Sequence, residues 1–400
     1  MSQHAPNMST TKYLLHPRSP LVFGTGKPLD FGLGGDSLAF PFPATVAGAL
    51  RAALSAMRGQ APDPYSRLDA SNSLAQLSLA CFDWLEPDAA PALLLPRPAD
   101  AAYLGGYIMP LVPQADPEGC WTDLEPGLKL LGLQGPDDAR EGKPDPAPAW
   151  WSSRQFSQWL QRAEPVPQGV DAEFLDTLED TRVHVVIDQH GKGSVTGGLF
   201  RSTGRDFGPQ IRQANLGQGL ALAISVDLGA ASTPAGQELH GCIRRLGGEG
   251  RFVRFEQRQH PSLPWEDPAQ PNGLDRATRV RFVLTTPAVF PEGGWRPEGL
   301  AYDSATQSIR GAIDTPTGTV RVTLVAAAIS RAQSYSGWQL DEQGFAGPGR
   351  PWRVVPAGSV FWFDLASGDA PRLWGQSLCK DTDLMPWRAN GWGRGFVGLA

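Results

Sequence analysis

The stretch Leu246-Gly247-Gly248-Glu249-Gly250-Arg251-Phe252-Val253-Arg254-Phe255 places a glycine-rich loop with an arginine directly before a short apolar run. The stretch Asn390-Gly391-Trp392-Gly393-Arg394-Gly395-Phe396-Val397-Gly398-Leu399 repeats this pattern near the end of the chain. Short apolar runs bounded by glycine are typical of β-strands. Glycine lacks a Cβ, so its backbone can approach a ligand closely, and arginine offers a forked donor for phosphate. The repeat therefore predicts a duplicated domain whose loops face an anion.

The residues before the first loop predict the elements of an N-terminal domain. Alternating β-branched residues on both sides of a glycine-containing turn predict a hairpin at 183–200. Val46 and Leu50 lie at helical spacing behind Thr45, which can cap a helix. The predicted elements are a strand at 11–16, a helix at 45–57, the hairpin, a strand at 219–228, a helix at 234–243 and a strand at 252–256. Apart from the further strand at 219–228, the order strand, helix, hairpin, helix, strand is the β-α-β-β-α-β order of a ferredoxin-like, RRM-like domain.

Residues 60–181 interrupt this order and differ in composition. They hold 16 of the 37 prolines, together with seven basic and twenty acidic residues. We interpret them as a large insertion that packs on the first domain without a core of its own. Two helices are predicted inside it, at 74–85 and 151–160. Trp151 and Trp159 would share one face of the second helix, which suits a core or a protein partner better than RNA.

A second cycle of elements follows a proline-rich linker at 262–275. Its predicted strands lie at 279–290, 320–329, 359–365 and 396–399, and its helical signals are weaker. The sequence therefore predicts an α+β protein of two ferredoxin-like domains, the first at 1–260 with the insertion and the second at 276–400. Each domain would end with a glycine loop followed by its last strand.

The distribution of charge favours an anionic partner more than the net charge does. The chain carries 35 basic and 41 acidic residues, a net charge of −6, but the acidic excess lies in 60–181. Outside that segment the chain is basic. Arginine supplies 29 of the 35 basic residues of the whole chain, and arginine binds phosphate in a bidentate manner. A high-GC genome would also favour arginine.

Other classes of protein find little support in the sequence. No apolar stretch approaches the ~20 residues of a membrane helix, and the polar start of the chain does not resemble a signal peptide. Four scattered cysteines indicate free thiols in a reducing cytoplasm. His240 and Cys242 lack a second ligand pair, and Gly191-Lys192-Gly193-Ser194 lacks the upstream glycine of a P-loop. We therefore expect no metal, no cofactor and no nucleotide hydrolysis.

Several motifs in order resemble those of a known family. The stretch Phe40-Pro41-Phe42-Pro43-Ala44-Thr45-Val46-Ala47-Gly48-Ala49-Leu50-Arg51, which follows a strand and a Gly-rich loop, resembles the N-terminus of RAMP-superfamily CRISPR proteins. The hairpin end Gly198-Leu199-Phe200, the run Pro356-Ala357-Gly358-Ser359-Val360-Phe361-Trp362-Phe363 and both glycine loops fit one family best. That family is the third subunit of the type III-B (Cmr) effector complex.

This resemblance implies a non-catalytic subunit that binds RNA and assembles with other proteins. It implies that the chain holds the 5′ repeat-derived tag of the CRISPR RNA and meets target RNA only indirectly. The implied protein partners are the large polymerase-like subunit and the first backbone subunit. A constant single strand would be recognised by phosphate contacts and by bases splayed onto protein surfaces.

The candidate RNA-binding residues are glycines and basic side chains on the predicted loops. Arg251 and Arg394 are the first candidates, and the alternative is that both are solvated turn residues. The remaining candidates are Arg18, Arg51, Lys192, Arg201, Arg205, Gly248, Gly250, Gly391 and Gly393. Phe207 and Trp392 are candidates for stacking on a base, although a place in the core suits them better.

Two alternatives of other classes stay open at this point. Some RAMP relatives are endoribonucleases that process precursor CRISPR RNA with a histidine as general acid and base. His16 is the histidine placed nearest the expected RNA groove. The other alternative is a subunit that contacts only proteins.

Overall fold

The fold was analysed in a computed structural model of the chain. The residues it describes are 10–24, 37–57, 73–83, 91–115, 122–136, 142–169, 178–188, 190–191, 193–208, 218–227, 239–257, 265, 267–292, 294–340, 346–383 and 385–400. Strands are the commonest regular structure among them, and helices are few. The predicted α+β class is confirmed in this strand-rich form.

The described part of the N-terminal half contains two helices and a long series of strands. In chain order they are β1 (Thr10–Pro17), α1 (Pro43–Met57), β2 (Ser73–Asp83), β3 (Ala92–Pro96), β4 (Ala101–Leu104), β5 (Tyr107–Pro113), β6 (Leu131–Leu133), β7 (Trp150–Ser152), α2 (Ser153–Gln161), β8 (Val166–Pro167), β9 (Leu178–Ile187), β10 (Ser194–Asp206), β11 (Gln218–Asp227), β12 (Ile243–Arg245) and β13 (Phe252–Gln257).

The described part of the C-terminal half consists of strands and two short 3₁₀ turns, Leu274–Arg276 and Ala370–Leu373. Its strands are β14 (Arg279–Leu284), β15 (Ala288–Val289), β16 (Ala301–Asp303), β17 (Ser308–Thr315), β18 (Gly318–Ala328), β19 (Gln333–Tyr335), β20 (Trp338–Leu340), β21 (Ala346–Pro348), β22 (Trp352–Val355), β23 (Val360–Leu365) and β24 (Gly395–Leu399). The four strands predicted in this half are confirmed.

The first sheet has seven strands in the order β12-β13-β1-β11-β2-β3-β7. The helix predicted at 74–85 is wrong, because Ser73–Asp83 is the strand β2 paired along its length with β11. Leu77 and Leu79 face the core under α1, while Ala80 and Phe82 are buried on the opposite face. Burial on both faces removes the apolar–polar alternation that marks a strand.

The first helix is confirmed and starts slightly earlier than predicted. It begins at Pro43, a favoured first helical residue, so Thr45 lies inside the first turn and is not the cap. Val46 and Leu50 are fully buried against the first sheet. Arg51 lies on the half-buried side of the helix.

The predicted hairpin is present, but it is not part of the first sheet. β9 and β10 form a separate two-stranded sheet that joins the body through paired backbone bonds between Leu21 and Arg205. The β-α-β-β-α-β order predicts that the hairpin supplies the second and third strands of the domain. In the structure those two places are taken by β2 and β11. The helix predicted at 234–243 lies partly outside the described residues, and Ile243 already belongs to β12.

Residues 60–181 contribute both to the first sheet and to a small core of their own. β2, β3 and β7 are strands of that sheet, which corrects the view of this segment as a layer packed on its outside. A separate cluster of buried side chains also forms within the segment, contrary to expectation: Ala101, Tyr103, Ile108, Trp151 and Trp159. Trp151 precedes α2, whose cap is Ser152, accepting from the Gln155 amide at 3.2 Å.

The second sheet repeats the strand order of the first. Its order is β16-β17-β18-β23-β14-β24. Four neighbouring strands correspond in the two sheets: β13-β1-β11-β2 and β24-β14-β23-β18. When each set of four is numbered along the chain, its spatial order is fourth, first, third, second. Each Gly-x-Gly-Arg stretch therefore leads into the corresponding last strand.

The two sheets share one buried core with α2 between them. Phe156 and Leu160 of α2 pack with Leu14 of the first sheet and with Trp362 and Phe396 of the second. This contact removes apolar side chains of both sheets from water. The halves form one packed body in this region.

Candidate nucleic-acid interface

Three segments meet beyond the end of β1 and form what we call the loop surface: residues 17–24, the base of the β9–β10 hairpin and the first glycine loop at 246–251. The Arg18 amide donates to Phe252 O at 2.9 Å, and the Leu21 amide donates to Arg205 O at 2.9 Å. The Gly248 amide donates to Val22 O at 2.8 Å. Backbone bonds thus fix segments that are distant in sequence against one another.

The glycines of the first loop allow its close approach to residues 17–24. Gly247 has a φ of +76°, and a Cβ there would lie 2.3 Å from Val22 O. Gly250 has a φ of +64° and open space where a Cβ would stand. The Gly248 amide is already bonded to protein, as is the Arg251 amide, which donates to Gly248 O at 3.3 Å. These two amides are therefore not available to an anion, unlike the open backbone around Gly250.

A polar network ties the first loop to the hairpin. Arg251 Nη2 donates to Glu249 Oε2 at 2.8 Å, and His184 Nε2 lies 2.9 Å from Ser202 Oγ. Burial opposes ionisation of Glu249, but hydrogen bonds from Ser202 and Arg251 outweigh it and lower the pKa of this carboxyl. The His184 ring stacks on Phe200 at 5.1 Å. Arg251 is therefore partly neutralised and serves the network as well as the surface.

The other predicted basic residues of this region differ in whether ion pairs or hydrogen bonds hold their side chains. Arg205 is braced by Glu179 at 3.0 Å and by Ser37 O at 3.4 Å. Arg18 and Arg201 are exposed, and neither side chain makes an ion pair within the described part of the chain. Lys192 lies outside the described residues. Arg18 and Arg201 are thus the predicted residues best placed to contact a phosphate.

The loop surface also contains basic residues that were not predicted from the sequence. Arg244 and Arg245 form the edge strand β12 directly before the first loop. The Arg245 guanidinium lies 5.9 Å from the ring centroid of Phe252, which is 43 % exposed. An exposed aromatic ring beside a cation can stack a base and contact its phosphate. The signal was present as an Arg-Arg pair before the glycines and a Phe after them.

Arg51 lies away from the loop surface, near the C-terminal half. Burial raises the pKa of Tyr335, and the charge of Arg51 acts in the opposite direction. Tyr335 in turn contacts the Phe42 ring at 5.3 Å. The structure therefore does not bring Arg51 together with Arg18 and Arg251.

The second glycine loop is buried between the halves. A Cβ on Gly391 would lie 3.0 Å from Leu74 O, and one on Gly393 would lie 2.6 Å from Cys379 Sγ. Trp392 is fully buried and stacks on Phe42 at 5.4 Å. Phe207 is likewise buried in the first core. Approach of an RNA backbone to this loop, or of a base to either ring, would require the packing to open.

Arg394 follows the same buried loop. Its Nη1 lies 3.4 Å from Gly375 O, and its backbone amide donates to Thr286 Oγ1 at 2.9 Å. Burial lowers the pKa of its guanidinium to about 10. The structure thus separates the two arginines of the repeat, since Arg251 is at the loop surface and Arg394 is in the contact between the halves.

The histidine considered for catalysis is buried. His16 Nε2 lies 2.9 Å from Glu256 Oε2, and its ring meets Phe82 edge to face at 5.1 Å. Within the residues described, no three His, Cys, Asp or Glu side chains gather in a way that could hold a metal ion. Nor is any described helix long and apolar enough to span a membrane.

The chain matches a known protein family over nearly its whole length. A CRISPR-associated family is matched over residues 13–399, nearly the whole chain. The chain belongs to that family, described as CRISPR-associated protein (Cas_Cmr3), and the family predicted from the motifs is confirmed. None of the curated proteins matches the chain.

Two solved structures are similar to the chain at low identity. One is a cryo-EM structure of type III-B Cmr-beta bound to cognate target RNA and AMPPnP, with 12 % identity, a TM-score of 0.43 and coverage of 88 % of this chain and 86 % of the other. The second is type III-B Cmr-beta bound to cognate target RNA, with 12 % identity, a TM-score of 0.35 and the same coverage.

Proposed function

We propose that the chain is a non-catalytic, RNA-binding subunit of a type III-B CRISPR effector complex. In this proposal it holds the 5′ repeat-derived tag of the CRISPR RNA on the loop surface and joins the large polymerase-like subunit to the backbone subunit. The single observation that carries the proposal is membership of the Cas_Cmr3 family over nearly the whole chain. The loop surface supports the RNA role.

We propose in addition that both sheets are ferredoxin-like. The order last-first-third-second, with all neighbours antiparallel, is shared by β13-β1-β11-β2 and β24-β14-β23-β18. In the first sheet α1 connects the first two of these strands as the β-α-β pattern requires. The second sheet keeps the strand order with no α-helix among its described residues.

The charges and rings of the loop surface suit a single strand of RNA. Arg18 and Arg201 offer exposed guanidinium groups, and Arg245 lies over the exposed ring of Phe252. Phosphate contacts supply affinity without regard to sequence, while an aromatic face accepts any base. Glu179 and Glu249 are paired with Arg205 and Arg251. Arg18 and Arg201, which have no ion pair among the described residues, remain for the backbone of the RNA.

Binding of a tag-containing single-stranded RNA to the full chain at low ionic strength tests this role. We expect the triple variant Arg18→Ala/Arg201→Ala/Arg245→Ala to bind about tenfold more weakly or worse, because charge-assisted hydrogen bonds are lost. Arg276→Ala is the matched control, since Arg276 is the most exposed of the ion-paired arginines, at 89 %, and ends the 3₁₀ turn Leu274–Arg276 in the C-terminal half. Equal binding by the triple variant and the wild type would exclude the loop surface as the RNA site.

The absence of catalysis is part of the proposal and has its own test. A histidine acting as general acid and base must reach the reacting 2′-hydroxyl, and burial of His16 beside Glu256 and Phe82 favours a packing role. Repeat-containing RNA incubated with the full chain in chelator should stay intact. Metal-independent cleavage that disappears in His16→Ala would establish the processing endoribonuclease instead.

A further inference from the structure

A groove of about 670 Å³ lies on one face of the second sheet, over β17, β18 and β23. Its lining residues include Arg310, Arg321, Thr323 and Asp364. Both arginines are exposed, so a ligand in solution can reach them directly. None of these residues belongs to the loop surface, and the proposed function gives them no part.

The groove lies on the face of the second sheet that packs on α2, farther along the strands. Trp362 lies on this face in the core shared with α2. Side chains two residues apart along a strand share a face, so Asp364 continues the face from Trp362. Asp364 is opposite Thr323, and Thr323 is opposite Arg310. Arg321 is two residues from Thr323 and therefore lies on the same face.

The corresponding face of the first sheet has a different chemistry. The neighbours β11-β2-β3 of that sheet correspond in place to β23-β18-β17 of the second. The face of β2 and β3 toward α2 is apolar, with Phe82, Leu93 and Leu95 buried in the same core as Phe156 of α2. The face of β18 and β17 instead carries two exposed arginines and a half-buried threonine. An apolar partner would leave their polar groups unpaired, so the groove suits a polar ligand.

Arg310 and Arg321 leave positive charge in the groove. Arg279 pairs with Asp364 through two hydrogen bonds of 2.6 and 2.7 Å, so this carboxylate is already neutralised. Neither Arg310 nor Arg321 has an ion pair within the described part of the chain. The two are diagonal neighbours on adjacent strands, which places such residues roughly 7–8 Å apart. Like charges at this separation repel each other, and an anion held between them offsets that repulsion.

Two further carboxylates near the groove have partners of their own. The charge of Asp303 acts on Arg310, but both Asp303 oxygens accept hydrogen bonds from residues of its own turn, at 3.0 and 2.7 Å. Asp314 lies 3.5 Å from Lys380. Thr323 adds a hydroxyl, which can donate to an anion. The groove therefore offers several hydrogen-bond donors to an anionic ligand.

We propose that this groove binds the phosphodiester backbone of a nucleic-acid strand. Guanidinium groups and hydroxyls contact phosphate oxygens without regard to the base sequence. None of the lining residues of the groove is aromatic. Base stacking and the anchors of protein interfaces both rely on aromatic side chains, so the groove is less suited to either. The site is separate from the loop surface and does not depend on it.

Binding of an abasic single strand, a deoxyribose-phosphate oligomer without bases, to the full chain tests the proposal. The triple variant of the loop surface is the starting protein, so that the binding it retains reports the groove. We expect Arg310→Ala/Arg321→Ala in this background to weaken binding about tenfold. The slope of log affinity against log salt should also become shallower by about 1.4, because two phosphate contacts are lost.

Arg353→Ala in the same background is the matched control, because Arg353 is an exposed strand arginine outside the groove. It should bind as the starting protein does, and Arg310→Lys/Arg321→Lys should keep the salt slope because it keeps both charges. If the starting protein does not bind the abasic strand, or the double alanine variant binds it equally well, the proposal is overturned. Binding of a polyglutamate peptide in place of the abasic strand would overturn it in favour of an acidic protein partner. Failure of the loop surface appears separately, as equal RNA binding by the triple variant and the wild type.

Discussion

The guanidinium of Arg281 in β14 and the carboxylate of Asp100 form an ion pair that joins the two halves of the molecule. Arg281 is 1 % exposed and Asp100 is fully buried. Arg281 also donates to Trp159 O at 2.6 Å and to Leu399 O at 2.8 Å, and the Trp159 ring nitrogen donates to Asp100 at 2.9 Å. Each buried charge therefore has several partners, which offsets the cost of removing it from water.

Breaking this pair should be strongly destabilising. Asp100→Asn leaves a buried guanidinium without its counter-charge, and we expect the free energy of unfolding to fall by about 3–5 kcal/mol. The measurement is chemical denaturation of the wild type and variant at the same pH.

The neighbouring pair Arg279–Asp364 provides a control in the same strand. Both of its side chains are about two-fifths exposed, and the ion pair spans 2.6 Å. Asp364→Asn should lower the free energy of unfolding by no more than about 1 kcal/mol. If Asp364→Asn and Asp100→Asn lower the free energy of unfolding by similar amounts, burial does not make the Arg281–Asp100 pair more important for stability than an exposed pair.

Two glycines of the first loop should respond differently to the same substitution. Both Gly247 and Gly250 have positive φ, so alanine costs about 1–2 kcal/mol at either position from backbone strain alone. At Gly247 the new Cβ would also lie 2.3 Å from Val22 O. We expect Gly247→Ala to lower the thermal midpoint clearly more than Gly250→Ala. Equal midpoints would show that the contact with Val22 relaxes freely.

The sequence predicted some strands of the fold and missed others. β1, β13 and β24 were predictable, because each is a short apolar run beside a recognisable glycine-rich loop. β2 was not predictable, because Leu77 and Leu79 face one core while Ala80 and Phe82 face another. Its sequence therefore lacks the alternation of apolar and polar residues that marks a strand. The hairpin was predicted from its own alternation, but nothing in its sequence indicated that β9 and β10 form a sheet separate from the first sheet.

The repeated Gly-x-Gly-Arg pattern predicted the place of both loops but not their difference. Each copy precedes the last strand of its sheet. Whether an arginine faces solvent or the other half depends on contacts between distant residues, such as Gly391 with Leu74. Arg245 and Phe252 were missed at the loop surface because their proximity arises only when β12 pairs with β13.

The buried thiol of Cys379 should make the protein less stable in alkali. Burial raises its pKa from 9.0 to about 12. Between these values the unfolded chain loses the thiol proton while the folded chain keeps it, so the stability falls as pH rises above about 9. At pH 10, ionisation of this thiol in the unfolded chain should have lowered the free energy of unfolding by about 1.4 kcal/mol. The measurement is the difference in pH dependence of the unfolding free energy between the wild type and Cys379→Ala, and parallel curves would contradict it.

The ionic-strength dependence of RNA binding should report how many arginines of the loop surface touch phosphate. Each contact with a single strand releases counterions and contributes about −0.7 to the slope of log affinity against log salt. If Arg18, Arg201 and Arg245 each contact one phosphate, the triple variant should have a slope shallower by about 2. A base-stacking role for Phe252 predicts a different signature, because Phe252→Ala should weaken binding at every salt concentration and leave the slope unchanged. A weaker affinity with an unaltered slope in the triple variant would therefore show that these arginines shape the surface and do not neutralise the RNA.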